Sequence, residues 1–295
     1  MDVPNNELAI ITCSYAPDFE RCQRLCRSVD QWVDREIAHR LIVPSRDLQL
    51  FRPLEDGRRT VVCVEDVVPG PYWQLPSTNR WWLDQYGWPV RGWVMQQVTK
   101  LSANNASCAE NLLFADSDLI FIRPFNRDSV IRDHQLRLHR IPGAMDSGLH
   151  LRWHLKAANL LGEKPTYFGS DYVGQLITWK RSQLEGLQAH LESVHHKPWH
   201  RSVARSLRIS EYILYGAYID AVVGLEKSGH YACSDDLCHC CWFWEDARAL
   251  SSQQSKVRPD AFALLLQSNL GLSHAEEQKL LTQFVRSPTR LVEAI

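Results

Sequence analysis

Short apolar runs, each ended by a polar turn, set the rhythm of the first half of the chain. Leu8–Cys13 is apolar and β-branched and gives way to Ser14-Tyr15-Ala16-Pro17-Asp18. This predicts a first strand ending in a loop, with Pro17 opening a helix. Leu25, Val29 and Trp32-Val33 then recur at helical spacing. Leu41-Ile42-Val43 is a second strand, stopped by Pro44-Ser45-Arg46-Asp47, and Thr60–Val64 is a third, followed by Glu65-Asp66. Strand and helix in alternation predict an α/β fold with a mostly parallel sheet and helices on its faces. Such sheets bind ligands at the carboxyl ends of their strands. Ser14, Tyr15 and Asp18 stand at one such end and Arg46 at another.

Pro69–Arg91 is rich in Pro, Gly and aromatic residues and reads as a long loop. It would serve as a lid or substrate wall, or pack down on its own tryptophans. Gly92–Ala103 then reads as a helix with Val94, Val98 and Leu101 on one stripe. Gln96, Gln97 and Lys100 lie beside that stripe. Lys100 is placed to reach a phosphate or nucleobase, or is simply a solvated surface lysine. Further on, the pattern predicts a strand at His134–His139 and helices at Trp153–Leu161 and Ser182–Val194. A strand-like end lies at Leu176–Trp179. Another helix opens after Ser210 as N-cap. The tail predicts two helices, one near Asp260–Leu270 and one from the capping box Ser273-x-x-Glu276. On this basis residues 1–245 form the main domain and 246–295 a helical extension packed on it.

The stretch Asn111–Phe125 organises the rest. Two apolar runs, Leu112–Ala115 and Leu119–Ile122, flank Asp116-Ser117-Asp118. Carboxylates between buried strands are costly unless a cation neutralises them. In extended chain, residues two apart share a side, roughly 6.5–7 Å apart. One carboxylate can then bind a divalent ion while the other holds a hydroxyl or a water on it. Hard oxygen ligands favour Mg²⁺ or Mn²⁺, with phosphate oxygens of a substrate completing the shell. An Asp-x-Asp in a plain turn between strands has the same spelling, so the neighbours must decide.

Bulk properties narrow the choice. The 295 residues carry a formal net charge of −1, so no global basic field points to nucleic acid. No run reaches the length of a membrane span. The first residues lack a basic, then apolar, leader pattern, which predicts a cytoplasmic protein. Nine cysteines, an odd number, fit reduced thiols. Eleven tryptophans in clusters suggest aromatic walls around a groove as well as core. Neither GxGxxG nor GxxxxGK[ST] follows the first strand, which disfavours nicotinamide, flavin and P-loop folds.

Taken together, the chain resembles the GT-A-fold glycosyltransferases, and more closely a bacterial group of them known mainly as a domain of unknown function. The resemblance rests on Ser14-Tyr15-x-x-Asp18, on Gln96, Gln97 and Lys100-Leu101, and on Asp116-Ser117-Asp118. It extends to Ser210-Glu211-Tyr212-x-Leu214-Tyr215-Gly216 and to Cys238-His239 followed by Trp242, and so covers roughly residues 7–245. It implies a Rossmann-like mostly parallel sheet and transfer of a sugar from a nucleoside diphosphate donor, most often a UDP-sugar, to an acceptor hydroxyl on a glycan or small molecule. Asp116 would then face the ribose or the metal, and Asp118 and His239 would hold Mn²⁺ or Mg²⁺. Ser14, Tyr15, Asp18, Arg46, Gln96 and Lys100 would contact the donor.

Glu211 is the leading catalytic carboxylate, although a Glu in the first turn of a helix is favoured by the macrodipole alone. Asp171 is the second, against a loop-capping role. Retention or inversion stays open. Two other readings stay open as well. One is a nucleotidyltransferase of related fold, which usually carries a Gly-rich signature absent from Thr12–Asp18. The other is a non-catalytic protein stabilised by zinc on Cys233, Cys238, Cys240 and Cys241, whose crowded spacing departs from paired Cys-x₂₋₄-Cys.

Overall fold

The structure, a computed structural model, describes residues 7–285 apart from 77, 79, 145–147, 253 and 269. Strand β1 (Leu8–Cys13) is buried along its whole length, as a strand covered on both faces must be. Helix α1 (Phe19–Trp32) follows and buries Cys22, Leu25, Cys26 and Val29, one stripe at helical spacing. Then come β2 (Ala38–Val43) and β3 (Arg59–Cys63). Helix α2 (Gly92–Lys100) leads to β4 (Asn111–Phe114) and, across the Asp-Ser-Asp turn, β5 (Leu119–Phe121). Helix α3 (Gly148–Leu161), strand β6 (Ile177–Lys180), helices α4 (Arg181–His195) and α5 (Glu211–Tyr218), and strands β7 (Cys238–Cys241) and β8 (Ala263–Leu266) complete the frame. Helix α6 (His274–Val285) is the last element among the described residues.

The central sheet runs β6-β4-β1-β2-β3. The three pairings among β4, β1, β2 and β3 are parallel, and β6 closes the edge antiparallel to β4. Along β1, Ala9 and Ile11 pack into one core with Leu112, Phe114, Trp179 and Tyr215. Leu8 and Ile10 pack into the other with Leu25, Val29, Leu113 and Phe121. The chain leaves β1 towards β2 on one side and returns to β4 on the other. The carboxyl ends of β1 and β4 therefore meet at a switch point, the place where open α/β sheets form clefts.

Two segments differ from the expectation. The aromatic stretch from Pro69 is largely an antiparallel meander of Tyr72–Gln74, Trp81–Asp84 and Pro89–Arg91. Its inward residues Tyr72, Trp82 and Val90 are buried while Trp73 and Trp81 are exposed. The period of two was hidden because both faces carry aromatics. The region near Asp260–Leu270 is a strand, not a helix. All four residues of β8 are buried, so no polar face marked a period. Partners decide it, since β8 runs parallel to β7 and antiparallel to β5. The final helix starts at its capping box as the sequence suggests, with the Ser273 amide and hydroxyl donating to Glu276 Oε2 at 2.8 and 2.7 Å.

Helix α5 is buried on every side, and its one glycine has a reason. A Cβ at Gly216 would sit 2.2 Å from Cγ and Cδ1 of the Tyr172 ring. Gly216→Ala, favourable on an exposed helix, is therefore expected to lower unfolding free energy by about 1–3 kcal/mol through overpacking, read from urea denaturation. His230 lies behind the same helix, sharing hydrogen bonds with Tyr215 Oη at 3.2 Å and Ser228 Oγ at 3.1 Å. Burial, then the Lys180 ammonium, push it down to about 3. A histidine held neutral in the fold contributes stability that is complete above pH 6.5 and is lost as pH falls towards 3. His230→Asn should make the stability–pH curve shallower in that window by up to one proton, about 1.4 kcal/mol per pH unit. Urea midpoints measured at several pH values test this.

Candidate active site

The switch point opens into a cavity of about 880 Å³. The end of β1 supplies Ser14, Tyr15 and Asp18, and the turn after β4 supplies Asp116, Ser117 and Asp118. Helix α2 contributes Gln96, and Trp93 in its first turn. Strand β8 and the residues just after it matter too, because Leu265, Gln267 and Ser268 form part of the wall together with Trp242. Six of the positions anticipated from sequence thus share one space.

Asp116 is anchored from behind. Lys100 Nζ lies 2.9 Å from Asp116 Oδ1 and 3.2 Å from Glu211 Oε1, and donates to Tyr212 Oη at 2.8 Å. Lys100, Glu211 and Tyr212 are all buried. Burial alone would push the ammonium down. Asp116, Tyr212 and Glu211 together more than reverse that, so Lys100 stays charged. Glu211 is raised as well: burial, which disfavours the charged form of a carboxyl, lifts it against the pull of Lys100. The lysine is neither solvated nor on the cavity wall. It stands one layer back and joins α2, β4 and α5.

Gln175 reaches Asp116 from the opposite side, its Nε2 3.5 Å from Oδ2. It precedes Leu176, a buried residue held at φ +53° at the entry to β6. A branched side chain in the left-handed region is rare. Sequence reasoning missed Gln175, and its only signal was a polar residue next to Gly174 ahead of an apolar run.

Asp118 Oδ2 accepts the Ser268 amide at 3.1 Å. Burial first, and the neighbouring Asp116 second, raise this carboxyl to about 7. The cavity floor thus carries two acids that repel one another, with one ammonium behind only the first. Ser268 could not have been anticipated, since it lies within a segment read as helix.

The other candidates lie elsewhere. His239 is half-buried on β7 and is not part of the cavity lining; its Nδ1 takes the Arg258 amide at 3.4 Å. Glu211 is likewise absent from the lining and sits in the first turn of α5, whose N-cap Ser210 accepts the Ile213 amide at 3.4 Å. Asp171 Oδ1 caps the amides of Tyr172 and Val173, and its Oδ2 is 3.3 Å from His150 Nδ1. Arg46 donates to the Leu75 carbonyl at 3.2 Å. Cys238 and Cys241 are buried. Among the described residues, no three His, Cys, Asp or Glu side chains gather closely enough to hold a metal without help from a ligand.

Because Lys100 neutralises two carboxylates at once, removing it strands both. Lys100→Met should cost about 3–5 kcal/mol of stability. The double variant Lys100→Met/Glu211→Gln should recover part of that loss, since one of the stranded charges is gone. A double-mutant cycle by urea unfolding measures the coupling.

No functionally curated protein matches the chain. Among solved structures, an active-site mutant of LgtC aligns with a TM-score of 0.47 at 11% identity, covering 97% of this chain and 100% of that one. The galactosyltransferase LgtC in complex with donor and acceptor sugar analogues aligns with a TM-score of 0.45 at the same identity and coverage. The sequence profile of a family of unknown function (DUF6492) matches residues 8–288, and the chain belongs to that family.

Proposed function

We propose that this protein is a GT-A-type glycosyltransferase that moves a sugar from a nucleoside diphosphate-sugar to an acceptor hydroxyl with the help of Mn²⁺ or Mg²⁺. One observation carries the reading: Asp116 and Asp118 line the same cavity as Ser14, Tyr15 and Asp18, at the switch point of a mostly parallel sheet. The donor set fits a hard divalent cation. Two carboxylates without a third protein ligand suit an ion that takes its remaining oxygens from water and a diphosphate. The raised Asp118 carboxyl is what such an ion would relieve, because its own positive charge favours the ionised form. When bound, the ion supplies Lewis-acid stabilisation of the departing diphosphate.

The residues of this chain divide the remaining work. Lys100 and Gln175 hold Asp116 in one orientation. Ser14, Tyr15 and Asp18, which line the cavity together with Gln96, would contact the nucleoside. Glu211 tunes the site through Lys100. Asp171, oriented against His150, is the candidate for the acceptor side. No helix among the described residues is long and apolar enough to cross a membrane.

A donor hydrolysis screen over common nucleotide-sugars, run with and without Mn²⁺, tests the proposal. Turnover of at least one donor, dependent on the metal, is expected. Asp118→Asn should remove both that turnover and the thermal shift given by UDP with Mn²⁺. Metal-independent binding of UDP, undiminished in Asp118→Asn, would refute the assigned role of the carboxylates.

A further inference from the structure

The cavity has a second pole. Arg80, Trp81 and Arg91 line it from the meander, and Trp93 from the first turn of α2. Trp81 pairs with Arg91 across two strands, and the Gly92 amide donates to the Arg80 carbonyl at 2.6 Å. Arg80 thus neighbours Trp81 along the chain and Arg91 neighbours it across the strands, and all three line the cavity. Trp81 is 38% exposed and Trp93 42% exposed, although both face the cavity. Among the described residues, neither Arg80 nor Arg91 has a side-chain hydrogen bond or an ion pair.

The same module shows what occupied arginines look like. Arg201 lies over the Tyr86 ring at 4.4 Å, and Arg205 lies over Trp88 at 4.8 Å while pairing with Asp84 at 3.3 Å. Those aromatics are already capped. Trp81 is not, and the arginines beside it are unspent.

Position separates this pole from the carboxylates. Arg91 directly precedes α2 and Lys100 ends it, so the two backbones stand about 13 Å apart along the helix. A diphosphate bridged to Asp116 and Asp118 would lie at the Lys100 end. The Arg91 end is where the acceptor would enter.

We infer that Arg80, Trp81, Arg91 and Trp93 form an acceptor subsite for an anionic saccharide, one bearing a carboxylate or a phosphate. The inference rests on the sugar-transfer reading above. An exposed indole offers a flat apolar face to the C–H face of a pyranose, as an amphipathic wall in a ligand pocket does. Guanidinium forks on the same cavity wall match a planar carboxylate or a phosphate through paired charge-assisted hydrogen bonds. A neutral sugar would use the indoles and leave the arginines idle.

Saturation-transfer NMR on the full chain, with UDP and Mg²⁺ present to fill the donor end, tests this. The probes are methyl glucoside, methyl glucuronide and glucose 6-phosphate. The acidic probes should bind at least about tenfold tighter than the neutral one, and comparing them shows whether carboxylate or phosphate is preferred. Arg91→Gln and Arg80→Gln should erase that preference, and Trp81→Ala should erase binding of all three. These side chains are exposed, and unchanged thermal melts confirm the fold of each variant. UDP·Mg²⁺ affinity should stay the same in the arginine variants. If the variants weaken UDP·Mg²⁺ instead, the arginines serve the donor and the acceptor assignment is overturned while sugar transfer stands. Equal binding of neutral and acidic probes, or binding of none, also overturns it. Failure of the native chain to bind UDP·Mg²⁺ brings down both readings.

Discussion

A single ammonium, buried between two carboxylates, ties the turn after β4 to the first turn of α5. Lys100 reaches Asp116 and Glu211 within 3.2 Å and donates to the Tyr212 hydroxyl as well. Each of these charges would be prohibitive alone in that environment. Together they fix three elements that lie far apart in the chain, and they fix them at the edge of the cavity. The orientation of Asp116, the placement of α2 and the packing of α5 all follow from this cluster.

The cavity is polarised as a result. Its floor holds Asp116 and Asp118, the second lifted to about 7 by burial and by its neighbour. Its far wall holds arginines and half-exposed tryptophans. The length of α2 keeps the two apart, with Lys100 at one end and Trp93 near the other. An acidic floor suits a cation and the anion it carries, and a basic aromatic wall suits a ligand with an apolar face and a negative edge. One helix thus sets the spacing between two chemically opposite subsites.

Much of this was legible from residue order. The apolar runs ending at Cys13, Val43 and Phe114 announced parallel strands, and the polar residues just beyond the first and the last of them line one space, whereas Arg46 beyond the second does not. What escaped had local causes. Gln175 is named by no motif, and it matters because a residue in an unusual backbone conformation follows it. The meander carries tryptophan on both faces, so its alternation gave no contrast. Strand β8 is four apolar residues buried on all sides, and only its partners β5 and β7 determine that it is extended. Lys100 was recognisable as a residue of interest, but its burial and double pairing depend on Glu211, more than a hundred residues away.

The place of β8 has an outcome of its own. Ser268, just past that strand, gives its amide to Asp118, and Glu277 on α6 takes Arg21 at 2.7 Å and also Arg24, both from α1. Residues late in this sequence are thus joined to elements formed by residues much earlier in it. During synthesis the central sheet can assemble while the pocket still lacks one side. A nascent chain would acquire its finished cavity only once this later segment had emerged and docked.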